Sequence, residues 1–310
     1  MDLVFCGTPQ FAVPTLNALI DAGHRIQLVV CQPDRPSGRG QQLTSSAVKK
    51  RALELGLRIT QPPSIKNNTE FRAELERISP RAIIVVAYGR IIPKWMLELA
   101  PLGNLNLHAS LLTKYRGAAP IQWAIANGEQ VTGVTTMRLE EGLDTGPILL
   151  QRELEIGADE TAEGLSPRLA ETGAALMVET LRELEAETLK PKKQDDSEAT
   201  LAPLLRKEDG RIDFSRSAQT IYNRLRGFTP WPGAFTRFRG KQLHIAGARP
   251  LANRQGEPGR LHISQQQIFI SCGASTALEV LEVQPEGKRR MSAPEFISGY
   301  RPQDGETLGS

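Results

Sequence analysis

Three residues in this chain have the types and spacing to do chemistry: Asn106, His108 and Asp144. Asn106 and His108 are two apart in Asn106-Leu107-His108, and side chains at i and i+2 of a strand face the same way. One face therefore presents an amide donor beside an imidazole. The amide suits an oxygen that gains negative charge, and the imidazole suits proton transfer near neutral pH. Asp144 sits in Gly142-Leu143-Asp144-Thr145-Gly146; an acid flanked by glycines reads on its own as a turn. With no cluster of metal-ligand types in the sequence, the three together suggest acid–base and oxyanion work without a metal.

Such residues need a scaffold that brings strand ends together. Short apolar runs at Leu3–Cys6, Ile26–Cys31, Ala82–Ala87 and Leu105–Leu107 alternate with helical patterns near 10–22, 45–56, 68–78, 93–99 and 119–127. This alternation predicts an α/β fold with a mainly parallel sheet and helices on both faces. The run Ala82–Ala87 is apolar without alternation, as a strand covered on both faces should be. Further strands are expected at 131–139 and 147–156, then a long helix near 161–187. Ligands of such sheets bind beyond the carboxyl ends of the strands. That rule marks Gly7-Thr8-Pro9, Tyr88-Gly89-Arg90 and the stretch from Asn106 to Leu112. Gly7 alone does not make a G-x-G-x-x-G fingerprint, so dehydrogenase chemistry loses its support and a tight strand–helix turn accounts for the glycine. His24 follows Gly23 at a helix end, and His244 and His262 lie in alternating strands; all three read as structural.

The length of 310 residues favours two domains over one. Hydrophobic residues at 40% and charged residues at 24% are a soluble globular mixture, with apolar side chain enough for a sizeable core. No apolar run reaches the roughly 18 residues of a membrane span. The N-terminus, Met1 to Gly7, reads as a strand running into a turn rather than a signal peptide. Cys6, Cys31 and Cys272 are far apart with no C-x-x-C, so reduced thiols in the cytoplasm are expected and a zinc site is not.

The pattern changes near residue 207. One helix (215–227) precedes short strands at 234–239, 242–248, 259–264, 267–272 and 277–284, which predicts a small β-barrel. Ser292-Ala293-Pro294-Glu295 is a capping box opening a last helix. The expected division is a domain at 1–189, a linker at 190–206 marked by Pro191 and Pro203, and a second domain at 207–310. Residues 207–310 hold 15 Lys+Arg against 10 Asp+Glu, while 1–206 hold 23 against 25. A basic second domain is compatible with a polyanionic partner, and on charge alone equally with an ordinary solvated surface.

The segment Asn106-Leu107-His108-Ala109-Ser110-Leu111-Leu112, followed by Tyr115-Arg116-Gly117-Ala118-Ala119-Pro120-Ile121-Gln122, resembles the central signature of the methionyl-tRNA formyltransferase family. Asp144 matches that family's catalytic acid. Gln32-Pro33-Asp34-Arg35-Pro36-Ser37-Gly38-Arg39-Gly40 resembles its basic insertion loop, and Phe228-Thr229-Pro230-Trp231-Pro232-Gly233 a signature of its C-terminal domain. The likeness runs over essentially the whole chain. The Asn-x-His and Asp elements alone indicate the wider group that uses 10-formyltetrahydrofolate. The Arg-Gly-Ala-Ala-Pro-Ile stretch, the basic loop and the C-terminal domain narrow it to the tRNA enzymes.

The resemblance implies a Rossmann-like formyltransferase domain binding 10-formyltetrahydrofolate, and a C-terminal barrel resembling an OB fold that helps hold tRNA. It implies Asn106, His108 and Asp144 as catalytic residues and Ser110, Leu111, Leu112 and Thr113 as a folate-binding loop. Tyr88 and Gly89, at the neighbouring strand end, join them as folate-binding candidates. Position 113 departs from the family, which usually has Pro; Thr113 leaves φ free and keeps a donor. Arg35, Arg39, Lys49 and Lys50 are expected to help seat tRNA, and the stretch 34–51, punctuated by glycine and proline, reads as a mobile insertion. Trp231, between two prolines, reads as a rigid aromatic packed at the interdomain hinge or as a base-stacking side chain. The implied function is formyl transfer to the amino group of initiator methionyl-tRNA, by a cytoplasmic enzyme expected to be a monomer, with neither metal nor membrane. One alternative is a formyltransferase for a small amine such as a sugar nucleotide or glycinamide ribonucleotide, which needs neither the basic loop nor a basic second domain. Another is a non-catalytic tRNA-binding protein, against which the intact Asn106, His108 and Asp144 set argues.

Overall fold

The apolar runs become strands, and the computed structural model describes residues 1–37 and 42–309. In chain order the elements are β1 (Asp2–Gly7), α1 (Val13–Asp21), β2 (Arg25–Val30), β3 (Arg35–Ser37), β4 (Gln42–Thr44), α2 (Ala47–Glu54), β5 (Ile59–Thr60), α3 (Thr69–Ile78), β6 (Ala82–Val86), α4 (Lys94–Leu97), β7 (Asn104–His108), α5 (Pro120–Ala126), β8 (Val131–Arg138), β9 (Ile148–Glu155) and α6 (Ala162–Glu185). There follow α7 (Ala218–Gly227), β10 (Ala234–Phe238), β11 (Lys241–Leu251), β12 (Leu261–Ser264), β13 (Gln267–Cys272), β14 (Thr276–Pro285), β15 (Met291–Ser292) and α8 (Ala293–Tyr300). By contact density the chain forms two units. The first is Met1–Pro120, Val131–Glu155 and Ser166–Pro203; the second is Ile121–Gln130, Ile156–Leu165 and Leu204–Ser310.

The first unit is built on a seven-stranded sheet in the order β5-β2-β1-β6-β7-β8-β9. Strands β5 to β7 run parallel, and β8 and β9 are added antiparallel. Every residue from Leu3 to Gly7 and from Ala82 to Val86 is buried, which explains why those runs carry no polar alternation. One face packs Val4, Cys6, Ile83 and Val85 against Phe71 and Leu75 of α3 and Met96 of α4. On the other, Gly173 of α6 lies so near β7 that a Cβ there would come within 2.6 Å of Leu107. Leu107 thus faces α6, and by strand alternation Asn106 and His108 face away from it. Gly7 is needed for packing: a Cβ would meet the Phe5 ring at 2.8 Å and Ala12 at 3.0 Å. Helices α2 and α3 start at Ser46 and Asn68, whose side chains accept from the amides of Lys49 and Phe71.

Three features were not anticipated. The two-residue strand β5 is too short to show in a sequence pattern. The segment read as a mobile insertion contains the antiparallel ribbon β3–β4; its Lys49, Lys50 and Arg51 lie on the capped helix α2, which was expected near 45–56. Residues up to Pro203 in the stretch read as a linker lie against the first unit: Lys192 bridges Ile148, Leu201 bridges Arg116, and Ala202 is fully buried.

The second unit is an antiparallel sheet in the order β10-β11-β14-β13-β12, with β15 on β14. Its core joins Ile245, Ile270, Leu278 and Val280 to Ile221 and Leu225 of α7 and Phe296 of α8. The sheet's two ends are connected by the C-terminal segment. Gly305 and Leu308 donate to the carbonyls of Leu261 and Gly259 beside β12, and Gly309 donates to Arg237 of β10. Closure of the barrel therefore comes from residues with no strand pattern. Ser292 and Glu295 form the expected capping box of α8. Among the described residues no helix is long and apolar enough to cross a membrane.

Candidate active site

β7 is an interior strand whose Asn106 pairs with Val85 of β6 and Met137 of β8, and whose His108 pairs with Thr135. The strand is apolar toward α6 and polar on the opposite face, so Asn106 and His108 emerge together at its carboxyl end. They are 8% and 5% exposed. His108 Nε2 lies 2.9 Å from the carbonyl oxygen of Tyr115. A carbonyl only accepts, so Nε2 carries a proton. Nδ1 then faces Asp144 Oδ2 at 3.6 Å. That separation is a Coulombic contact rather than a formed hydrogen bond. Asp144 Oδ2 accepts from the Gly117 amide at 2.9 Å. Among the described residues, Asp144 Oδ1 and the Asn106 side-chain amide have no hydrogen-bond partner. Two groups capable of accepting and donating thus stand open beside a histidine.

Asp144 reaches this position through the turn between β8 and β9. Its φ is +53°, the left-handed region that aspartate enters more readily than most side chains. Gly142, at φ +143°, precedes it. Gly146 follows, pressed against the Arg138 carbonyl so closely that no Cβ fits. Arg138 N–H to Pro147 O, 3.1 Å, closes the turn. The glycines that made Asp144 look like a mere turn-former are what aims its carboxylate.

The loop after β7 is pinned by β8 and β9. Thr135 Oγ1 donates to Ser110 O at 2.6 Å and accepts from Leu112 N–H at 3.1 Å. Gln151 Nε2 donates to Leu112 O at 2.7 Å and to Thr135 Oγ1 at 3.0 Å. Ser110 Oγ donates to Lys114 O at 2.7 Å, Leu112 is buried, and Leu111 packs over Gly133. The Leu112–Thr113 peptide is cis. Neighbouring hydrogen bonds thus hold the loop with threonine at position 113. Thr135 and Gln151 carried no sequence signal, since a threonine or glutamine in a strand is ordinary.

At the end of β6, Tyr88 turns its phenol into the core, where burial pushes its pKa up and the hydroxyl finds no partner. Its carbonyl accepts from Gln32 Nε2 at 2.8 Å and Thr8 Oγ1 at 3.2 Å, and Gly89 follows at φ +77°. Any ligand contact from Tyr88 and Gly89 is therefore a backbone contact.

Of the basic candidates, Arg35 is exposed and donates to Gln32 Oε1 at 2.7 Å. Lys49 is committed to Asp34 at 2.6 Å, with its side chain 20% exposed. Lys50 is exposed on α2. Arg39 lies outside the described residues. None of these makes a contact with the Asn106, His108 and Asp144 group among the described residues. In the second unit Lys207, Arg211 and Arg237 line an open groove together with Phe235, Glu208 and Glu286.

Trp231 is 56% exposed, so the packed-aromatic reading does not hold. Phe228 fills the interior of the second unit instead: it is fully buried, edge-on to Trp123 at 5.3 Å, with the Arg224 guanidinium 4.9 Å from its ring. His24 contacts the N-terminal amine, His244 bonds Gln242, and His262 bonds Ser271. The three cysteines are free and buried.

Residues 1–181 match the family model for formyl transferase, and residues 204–301 the model for the formyl transferase C-terminal domain. The methionyl-tRNA formyltransferase of Koribacter versatilis is 62% identical over 309 residues, covering 100% of this chain and 99% of that protein. The methionyl-tRNA formyltransferase of Acidobacterium capsulatum is 62% identical over 301 residues, covering 96% of both. Among solved structures, an N-formyltransferase from Helicobacter canadensis, in complex with folinic acid and dTDP-3-aminofucose, superposes with a TM-score of 0.67 at 19% identity, over 91% of this chain and 98% of that one. Glycinamide ribonucleotide transformylase 1 from Symbiobacterium toebii gives 0.52 at 21% identity, over 63% of this chain and 94% of that one. At such identities the structures speak for the fold alone.

Proposed function

The chain belongs to the methionyl-tRNA formyltransferase family, and on that premise we propose that it moves the formyl group of 10-formyltetrahydrofolate onto the α-amino group of initiator methionyl-tRNA. One observation carries the mechanism: the Asn106 amide and Asp144 Oδ1 stand without partners among the described residues, next to a histidine whose Nδ1 faces Asp144. An amide 8% exposed with nothing to bond fits a ligand that supplies an acceptor, as a formyl oxygen does.

The reaction exchanges one C–N bond for another. The acceptor amine attacks as the neutral species; a free α-amino group has a pKa of about 8, and the adjacent ester lowers it, so no strong base is needed. The folate supplies the activated formyl carbon. A bond forms from the amine nitrogen to that carbon, the bond from the carbon to N10 breaks, and one proton passes from the amine to N10. Asn106 donates to the formyl oxygen as charge builds on it, a contribution typically of about 100- to 1,000-fold. Asp144 takes the amine proton at Oδ1. His108, entering the step as the imidazolium with Nε2–H held on Tyr115 O, gives its Nδ1 proton to the leaving nitrogen, and Asp144, protonated by the amine, returns that proton to Nδ1.

The folate would be held by the loop Ser110 to Thr113 and the strand end at Tyr88 and Gly89, through backbone groups, because Ser110 Oγ is bonded to Lys114 O and the Leu112 side chain and the Tyr88 phenol are turned into the protein interior. Arg35, Lys49 and Lys50 would meet tRNA phosphates, and Arg39 is assigned with them on sequence alone. The enzyme is proposed to act as a cytoplasmic monomer, a compartment with which buried free thiols are compatible.

The test is formyl transfer by the purified protein to charged initiator tRNA, to a sugar-nucleotide amine and to glycinamide ribonucleotide. Preference for the tRNA by orders of magnitude in kcat/KM supports the proposal; preference for either small amine replaces it.

A further inference from the structure

Gln194 lies in the charged stretch Lys190-Pro191-Lys192-Lys193-Gln194-Asp195-Asp196, yet it is 5% exposed while the residues around it face solvent. Both ends of its amide are used. Nε2 donates to the carbonyls of Asp144 at 2.8 Å and Gly146 at 2.6 Å. Oε1 accepts from Arg116 Nε at 3.1 Å and Nη2 at 2.8 Å. Arg116, itself 6% exposed, also pairs through Nη2 with Asp196 at 2.7 Å. Its backbone is fixed as well, N–H to Thr200 O at 2.8 Å and O from Ala202 N–H at 2.7 Å.

The two chain neighbours of Arg116 each hold one member of the reacting pair. Tyr115 O accepts from His108 Nε2, and Gly117 N–H donates to Asp144 Oδ2. A closed ring results, running Arg116, Gly117, Asp144 and Gln194 back to Arg116, with His108 joined to it through Tyr115. Only a side chain that both donates and accepts spans a guanidinium and two carbonyls. A carboxylate would set unprotonated oxygen against carbonyl oxygen, and a thioether would make none of the four bonds.

We propose that Gln194 and Arg116 are positioning residues for the reaction. Together they fix the turn that carries Asp144 and the loop that anchors His108 at the separation the proton exchange requires. The inference rests on the formyl-transfer reading for its kinetic part. Its structural part does not depend on substrate.

Gln194→Met keeps the volume and removes all four bonds; Gln194→Glu keeps the acceptor for Arg116 and removes donation to the turn. The measurements are kcat and KM on charged initiator tRNA, thermal melting, and exchange of the Gly117 amide hydrogen by NMR without substrate. Misplacement of reacting groups by about 1 Å costs up to about 100-fold. The expected result is a kcat loss of about 10- to 100-fold in both variants with KM little changed, and Gly117 exchange accelerated about tenfold. On an Asp144→Asn background Gln194→Met should add little, because the group it positions no longer acts. Unchanged kcat in folded Gln194→Glu overturns the proposal. So do parallel losses in kcat, KM and melting that add fully to those of Asp144→Asn. A protein that does not formylate charged tRNA but shows faster Gly117 exchange loses the proposed function and keeps the clamp; unchanged exchange removes the clamp whatever the activity.

Discussion

The Gly117 amide meets the Asp144 carboxylate at 2.9 Å, and the bond exists because residue 117 has no side chain. At φ +126° a Cβ would stand 2.6 Å from the Ala202 carbonyl oxygen. Gly117→Ala must move either the Asp144 contact or the segment carrying Ala202. The expected outcome is a stability loss of about 1–3 kcal/mol and a kcat loss of at least about tenfold, read by denaturant melting and steady-state kinetics. Wild-type kcat in a folded Gly117→Ala protein would show that this bond does not set the position of Asp144.

Asp144→Asn keeps the shape of the turn and removes the proposed base; His108→Ala removes the proposed proton donor. General acid–base groups contribute about 100- to 10,000-fold. Each variant should lose turnover in that range while tRNA binding, measured by filter retention, stays within about twofold. If the two act as a pair, the double variant should be little worse than either single one. Losses that multiply would mean independent roles.

Asn106→Ala tests the oxyanion role separately. Its kcat should fall about 100- to 1,000-fold, and the shape of its pH–rate profile should match wild type, because the residue does not titrate. A change in the pH profile with little change in the maximum rate would assign Asn106 to orienting its neighbours instead.

The hydrogen bond from Lys49 Nζ, then one from Gln61, holds the Asp34 carboxyl below its ordinary value of 3.8. For a lowered carboxylate, the stabilisation is present above the unfolded value and lost as pH falls through the folded one. Asp34→Asn should therefore lower the melting temperature at pH 7, and its difference from wild type should shrink as pH drops below about 4. A difference that is flat with pH would show that packing, not charge, holds this corner.

Lys50 is exposed on the same helix. Lys50→Ala should raise KM for charged tRNA and reduce the slope of log KM against log salt by about one, with kcat unchanged. No effect on the salt slope would remove Lys50 from the phosphate contacts.

The sheet and the pairing of Asn106 with His108 were legible because both depend on local patterns; Asp144 alone read as a turn and was singled out through the resemblance. Leu3 to Cys6 and Ala82 to Val86 are apolar without interruption because both faces are covered, and Asn106 and His108 share a face because they are two apart. The supports of the trio were not legible. Gly117 reaches Asp144 across 27 residues and Gln194 reaches it across 50, through backbone groups that leave no trace in residue type. Arg35 and Lys49 were expected to help seat tRNA, and their partners Gln32 and Asp34 did not show in the sequence because they meet only when the β3–β4 ribbon and α2 are in place. Trp231 looked like a packed side chain, but the interior position belongs to Phe228, three residues before it. The barrel closes through residues 305–309, Gly-Glu-Thr-Leu-Gly, where the single apolar side chain of Leu308 is too little to show as a strand pattern.

The most direct measurement is a single-turnover transfer of labelled formyl from 10-formyltetrahydrofolate to charged initiator tRNA, run with wild type and Asp144→Asn side by side. The expected result is rapid labelling of the methionyl amino group by wild type and a rate at least about 100-fold lower for Asp144→Asn, with both proteins binding the tRNA. Equal rates for the two proteins, or no labelling by wild type, would contradict the assignment of this site to formyl transfer.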